Sequence, residues 1–265
     1  MTPDELKDLT RAYQFLHSPS IAMKAANMIG RPLEIALENL PESVRSGITS
    51  ATQLSLDKAM DAAVFTMDEE GGEASPIWHK IAVAVSGGVG GLFGLPALAI
   101  ELPLSTVIML RSIMDIARSE GERVSDREAQ LQCLMVFALG GESPDDDGAE
   151  SGYYACRIAL GRAMGEALEY IAKSAVIDKG APVLVRFIAA LAERFGVQVT
   201  EKVLAQGIPL IGAAGGALIN TLFIDHFQDM ARGHFIVRRL ERAYGEERVQ
   251  AEFEAIKNGQ PQEES

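Results

Sequence analysis

Two stretches of this chain carry no charge at all, and they decide most of what it can fold into. Residues 81–100 read IAVAVSGGVGGLFGLPALAI, and residues 203–224 read VLAQGIPLIGAAGGALINTLFI. Runs this apolar leave water for protein or for lipid, because apolar surface is costly to hydrate. Glycines at GxxxG spacing, Gly87/Gly91, Gly90/Gly94 and Gly212/Gly216, let two helix backbones approach with no Cβ between them. Pro96 and Pro103 interrupt the first stretch, which predicts a helix over 78–93, a break near Gly94–Pro96, and a helix from about 98 to 120.

The rest of the chain repeats its apolar residues at helical spacing. Thr2, Pro3 and Glu5 spell an N-cap, a first-turn proline and a capping box, so a helix over 3–17 is expected. Further helices are predicted over 20–29, 33–40, 42–68, 126–139, 150–173 and Pro182 to Phe195, the last ended by Gly196. The second uncharged stretch continues through DHFQDMARGHFIVRRLERAYG to near Gly245. No strand competes: VQVT at 197–200 is short and lacks a partner. The expected fold is all-α, a multi-helix bundle with two glycine-rich apolar helical hairpins at its centre. Its expected parts are amphipathic helices over 1–74, a helical domain over 75–256 and a polar tail over 257–265.

A net charge of −13 opposes binding to DNA, RNA or an anionic lipid surface. The densest basic patch, Arg238, Arg239 and Arg242, has Glu241 within it, so no nucleic-acid partner is expected. Cys133 and Cys156 lie in apolar helical patterns without metal-ligand spacing and read as reduced, buried thiols. The first residues lack a basic, then apolar, leader, which reads as cytoplasmic.

Each uncharged stretch is long enough for a bilayer core of about 30 Å. Proline and glycine crowd both, Glu101 and Asn220 sit in or beside them, and the flanks lack a Lys/Arg asymmetry. Burial in a protein core and partial insertion at the membrane both remain open. Each stretch also leads into the tetrapeptide D-x-A-R, at Asp115–Arg118 and at Asp229–Arg232, a sign of a weak internal repeat.

Charges on such helices need partners. Glu101 and Asp115 fall about 40° apart on the helical wheel, and Arg111 precedes Asp115 by one turn. Asp225, Asp229 and Arg232 fall within roughly 60° of one another, with His226 beside them. The candidate polar cluster is therefore Glu101, Arg111, Asp115, Asp225, His226, Asp229 and Arg232. It reads as buried ion pairs, as a divalent-metal site centred on Asp115, Asp225 and Asp229, or as a pocket for a ligand or lipid headgroup. No HExxH, GxSxG, Walker or GxGxxG pattern is present, and no cofactor is indicated.

The segments ELPLSTVIMLRSIMDIARSEGE (101–122), VFALGG (136–141), ESGYYACR (150–157), APVLVRFIAALAERFGV (181–197) and IPLIGAAGGALINTLFIDHFQDMARGHFIVRRLE (208–241) resemble the EcsC family. The resemblance covers about residues 75–245, and none of it falls in the first 40. It marks Glu101, Arg111, Asp115, Glu150, Tyr153, Tyr154, Asn220, Asp225, Asp229 and Arg232 as motif members, without roles. It implies kinship to a protein encoded beside an ABC transporter's two components, and some members carry a peptidase label. Three readings follow: an accessory protein at the inner face of the membrane, with lipid or ABC transporter components as partners; a metal-dependent hydrolase using the carboxylates; and a helical module that binds a hydrophobe.

Overall fold

The computed structural model describes residues 1–21, 24, 40–65, 94–140, 152–174, 176–206 and 212–259, and among these it contains helices and no strands. Eight α-helices are described: α1 (Pro3–Leu16), α2 (Glu42–Met60), α3 (Gly94–Ser119), α4 (Arg127–Met135), α5 (Gly152–Lys173), α6 (Pro182–Gln206), α7 (Gly212–Tyr244) and α8 (Glu246–Lys257). A π-helical turn, Asp61–Phe65, extends α2, and a 3-10 turn, Val136–Ala138, extends α4. The capping box at Thr2 forms as expected, with Glu5 Oε2 accepting from the Thr2 backbone at 2.7 Å.

The bundle is built round a helix that is enclosed on every side, α4 with its 3-10 extension. All residues from Ala129 to Leu139 are buried, as a helix enclosed by others requires. Phe137 at its end meets the rings of Phe195 (5.1 Å) and Phe227 (5.3 Å), and Phe227 meets Phe223 (5.1 Å). These tilted and edge-on contacts join the end of α4 to α6 and α7 in one core. Cys133 and Cys156 are free thiols buried in it, and burial raises the pKa of Cys133 first, helped by Glu122.

The two helices that carry the apolar stretches, α3 and α7, pack side by side. Gln228 donates to Ser112 Oγ at 2.9 Å, and Arg238 donates to Glu122 at 2.8 Å. Both pairs are separated by 116 residues in sequence, so α3 and α7 run parallel and in register. Their apolar N-terminal halves therefore lie at one end of the bundle and their charged C-terminal halves at the other. At the apolar end α3 shows a stripe of partly exposed apolar side chains, Ile100, Leu104, Val107 and Ile108, with Ile100 75 % exposed. The spacing is that of one helix face.

α1 lies antiparallel on α7. Asp8 pairs with Arg239 at 2.8 Å, the hydroxyl of Tyr244 donates to Glu5 at 2.7 Å, and Gly233 admits Leu16 where a Cβ would lie 2.6 Å from Leu16 Cγ.

Three expectations need correction. Gly196 does not end a helix: α6 runs on to Gln206, because Val199, Lys202 and Ala205 are buried on one face and outweigh the roughly 1 kcal/mol cost of a helical glycine. α3 begins at Gly94, four residues before the expected start, with Pro96 in its first turn where a proline is tolerated, and it runs through Pro103 as expected. The chain after Gly245 forms α8, a helix that was not expected. Much of the two expected glycine-rich hairpins, over 81–93 and 207–211, lies outside the described residues, as do the predicted helix over 78–93, all but the last residue of the one over 33–40 and most of the one over 20–29.

Candidate functional site

The residues singled out from the sequence do not converge on one point. Asp115 is 73 % exposed and grips Arg118 at 2.7 Å. Asp229 grips Arg232 at 3.0 Å, and Arg232 also reaches Gln228. Arg111 and Asp225 are exposed, and Asn220 is half-buried. Asp115 and Asp229 thus form two short ion pairs, each with the arginine three residues on, which is the ion-pair reading with Arg118 in place of Arg111 as the partner of Asp115. Among the described residues no group of His, Cys, Asp and Glu side chains is placed to hold a metal ion, so Asp115, Asp225 and Asp229 do not form one. Glu150 lies outside the described residues.

Glu101, for which the sequence offered no partner, is paired across the bundle. Its carboxylate accepts from Lys202 Nζ at 2.9 Å, and the ammonium also lies 4.7 Å from the Phe223 ring centroid. Lys202 immediately precedes the second uncharged stretch, which was the available signal for it. Burial pushes its pKa down, against the pull of Glu101.

His226 is fully buried and neither ring nitrogen has a hydrogen-bond partner. A Cβ on Gly140, whose φ is +73°, would lie 2.8 Å from its ring. Burial first, and the charge on Lys24 second, lower its pKa to about 4. It is a neutral packing group.

The polar centre lies instead at the charged end of α7. His234, fully buried, is held between Gln132 Oε1 (3.0 Å, on Nε2) and the hydroxyl of Tyr153 (2.9 Å, on Nδ1). With Gln132 presenting its carbonyl oxygen, Nε2 carries the proton and Tyr153 donates to Nδ1. Arg157, one turn after Tyr153, donates to the Tyr153 hydroxyl at 3.4 Å and to both oxygens of Glu241 at 2.6 and 3.0 Å. Arg238 joins Glu122 and Glu128, and Arg242 joins Glu122 as well. Glu122, Glu128, Arg157, Arg238, Glu241 and Arg242 line a cleft of about 480 Å³, whose wall does not include Tyr153, His234 or Gln132.

Electrostatics fix the state of each group. Burial raises the pKa of Tyr153 and lowers that of His234, so the pair is neutral on both sides. Burial opposes the charge on Arg157, but Tyr153 and Glu241 more than offset it. Arg157 and Arg238 each already hold a carboxylate, so the cleft has the chemistry of a structural network. The Tyr153–His234 pair offers no nucleophile, because a phenol with a raised pKa and an imidazole with a lowered one do not exchange a proton readily. Tyr153 was legible as a motif member; His234, Gln132 and Glu241 were not, since their pairing spans up to 102 residues.

The family model described as the EcsC protein family matches residues 6–240. The chain belongs to the EcsC family. The match begins within α1, so kinship reaches further towards the N-terminus than the segments from 101 onward, and the EcsC region includes α3, α7 as far as Leu240, and the Tyr153–His234 pair. Comparison with curated proteins and with solved structures returns no match.

Proposed function

We propose that this EcsC protein is an accessory protein that rests on a membrane surface through the apolar end of its α3–α7 pair. The observation that carries the reading is the half-exposed stripe of Ile100, Leu104, Val107 and Ile108, at the end of the bundle from which both uncharged stretches lead. From Ile100 to Ile108 the stripe measures roughly 12 Å along the helix, and a face of this kind sits at the boundary between headgroups and acyl chains. No described helix is long and apolar enough to cross a membrane, so the reading is attachment at the surface. The net charge of −13 makes apolar contact, and not attraction to anionic lipid, the source of binding. The resemblance to a protein encoded beside an ABC transporter suggests a transporter as the membrane partner.

Cell fractionation tests it. The protein is expected to sediment with membranes and to stay there through a high-salt wash, which removes proteins held by charge. Complete recovery in the soluble fraction contradicts the reading.

A groove of about 620 Å³ between α2 and α6 favours a second reading, binding of a small hydrophobe. Ile48, Ala189, Ala192 and Val197 line it, and a Cβ on Gly196 would meet open space. Native mass spectrometry of the purified protein should then show a co-purified apolar ligand. The hydrolase reading draws no support from the described carboxylates.

A further inference from the structure

The last helix plugs a ring cage at the end of the bundle remote from the apolar stripe. Phe253 on α8 is fully buried. Its ring centroid lies 5.2 Å from Tyr13, 5.9 Å from His17, 5.7 Å from Tyr153 and 5.4 Å from Tyr154. Four rings from two helices and the end of α1 thus surround one side chain. Tyr13 and His17 are themselves stacked at 4.0 Å, so their wall of the cage is set within the N-terminal segment.

The plug is attached through few side chains, Val249, Phe253 and the partly buried Ile256. α8 is a 12-residue helix with two buried side chains, Val249 and Phe253. It joins α7 through Gly245, whose φ of +85° only glycine adopts without strain. The cage residues all fall within the family match, whereas α8 falls wholly beyond residue 240. The seat is also incomplete in polar terms: the Tyr154 hydroxyl is buried with no hydrogen-bond partner while α8 is in place. A buried donor left unmet is a cost that another occupant could remove.

We propose that α8 is a displaceable plug, and that the cage of Tyr13, His17, Tyr153 and Tyr154 is a docking site for a helix of a protein partner that inserts an aromatic side chain in place of Phe253. The partner's chemistry follows from the plug. It presents an aromatic residue with an aliphatic one a turn before it, as Val249 precedes Phe253, and an acceptor within reach of the Tyr154 hydroxyl. An acidic residue one further turn away would take the place of Glu246 beside Arg157, now 3.8 Å apart. A tethered helix competes at high effective concentration, so the closed state predominates until a partner with a better fit arrives. This inference is independent of membrane attachment, which uses the other end of the bundle.

Two measurements on the full chain test it. In hydrogen exchange of the unaltered protein, amides of 249–257 should exchange at least tenfold faster than those of 234–240, through local opening at Gly245. Equal protection of the two segments would show that α8 leaves only when the whole protein unfolds, and would overturn the proposal. In the second, a fluorescent peptide of sequence EERVQAEFEAIK is titrated into the unaltered chain and into the Phe253→Ala chain. The variant should bind at least tenfold more tightly, and the peptide carrying Phe253→Ala should bind neither. A folded Phe253→Ala chain that ignores the peptide at millimolar concentration overturns the docking site. If that variant does not fold, the exchange experiment alone decides.

Discussion

Lys202 and Glu101 tie the C-terminal end of α6 to the first turns of α3, with Nζ 2.9 Å from Oε1 and the lysine side chain 1 % exposed against 28 % for the glutamate. Such a pair costs a great deal when one half is removed and little when the buried charge goes too. Glu101→Gln should therefore destabilise by about 3–5 kcal/mol, whereas Lys202→Met should be neutral to stabilising near pH 8. Burial lowers the folded-state pKa of Lys202, so the unfolded chain binds that proton more tightly. Its unfavourable contribution disappears above the ordinary value of 10.5 and grows as pH falls below it. Urea unfolding of both chains from pH 8 upward checks this: the difference in stability, Lys202→Met minus unaltered, should shrink as pH rises.

His226 gives the opposite end of the pH scale. Its folded pKa of about 4 lies below the ordinary 6.5, so the folded state disfavours the proton. Its share of stability is full above pH 6.5 and is lost as pH falls towards about 4, in all about 3 kcal/mol. His226→Leu should remove that part of the acid sensitivity. Because both ring nitrogens lack partners, it should cost little at pH 7. Denaturant midpoints at pH 7, 5 and 4 for the two chains give the comparison.

Gly233 is where α1 meets α7 most closely. An added Cβ would lie 2.6 Å from Leu16 Cγ and 3.0 Å from the Ala12 carbonyl oxygen, and the second of these is backbone. Gly233→Ala should lower stability by about 1–3 kcal/mol despite alanine's better helix propensity. Loss of amide protection confined to residues 3–16 would accompany it.

Asp115 makes the contrasting case. Its bond to Arg118 is exposed on both sides, at 73 % and 59 %. A double-mutant cycle of Asp115→Ala and Arg118→Ala should return a coupling below about 0.5 kcal/mol. A coupling of several kcal/mol would restore Asp115 to a role that its exposure argues against.

The helical class was legible because periodicity and the Thr2–Glu5 box are local, and both are read directly along the chain. α4 was legible as a helix, but its enclosure was not, because the buried Gln130 and Gln132 find their partners only in the folded chain. Gly196 misled because a local propensity cost was set against burial of Val199 and Lys202, which only the packed bundle reveals. The candidate site was legible in its members and not in its geometry. A helical wheel places Asp115 and Asp229 on faces of their own helices, but it is silent on whether those faces turn to the core or to water. The true partners, Glu101 with Lys202 and His234 with Tyr153 and Gln132, are separated by 81 to 102 residues. No spacing rule reaches so far.

Attachment to a membrane through the exposed end of α3 is the claim on which the functional reading rests, and vesicle flotation tests it most directly. The protein is mixed with phosphatidylethanolamine–phosphatidylcholine vesicles and spun through a density gradient, alongside Ile100→Asp and Leu104→Asp. The unaltered chain should rise with the vesicles and both variants should remain below, still folded by circular dichroism. An unaltered chain that stays at the bottom, or variants that float as well as it does, would contradict the account.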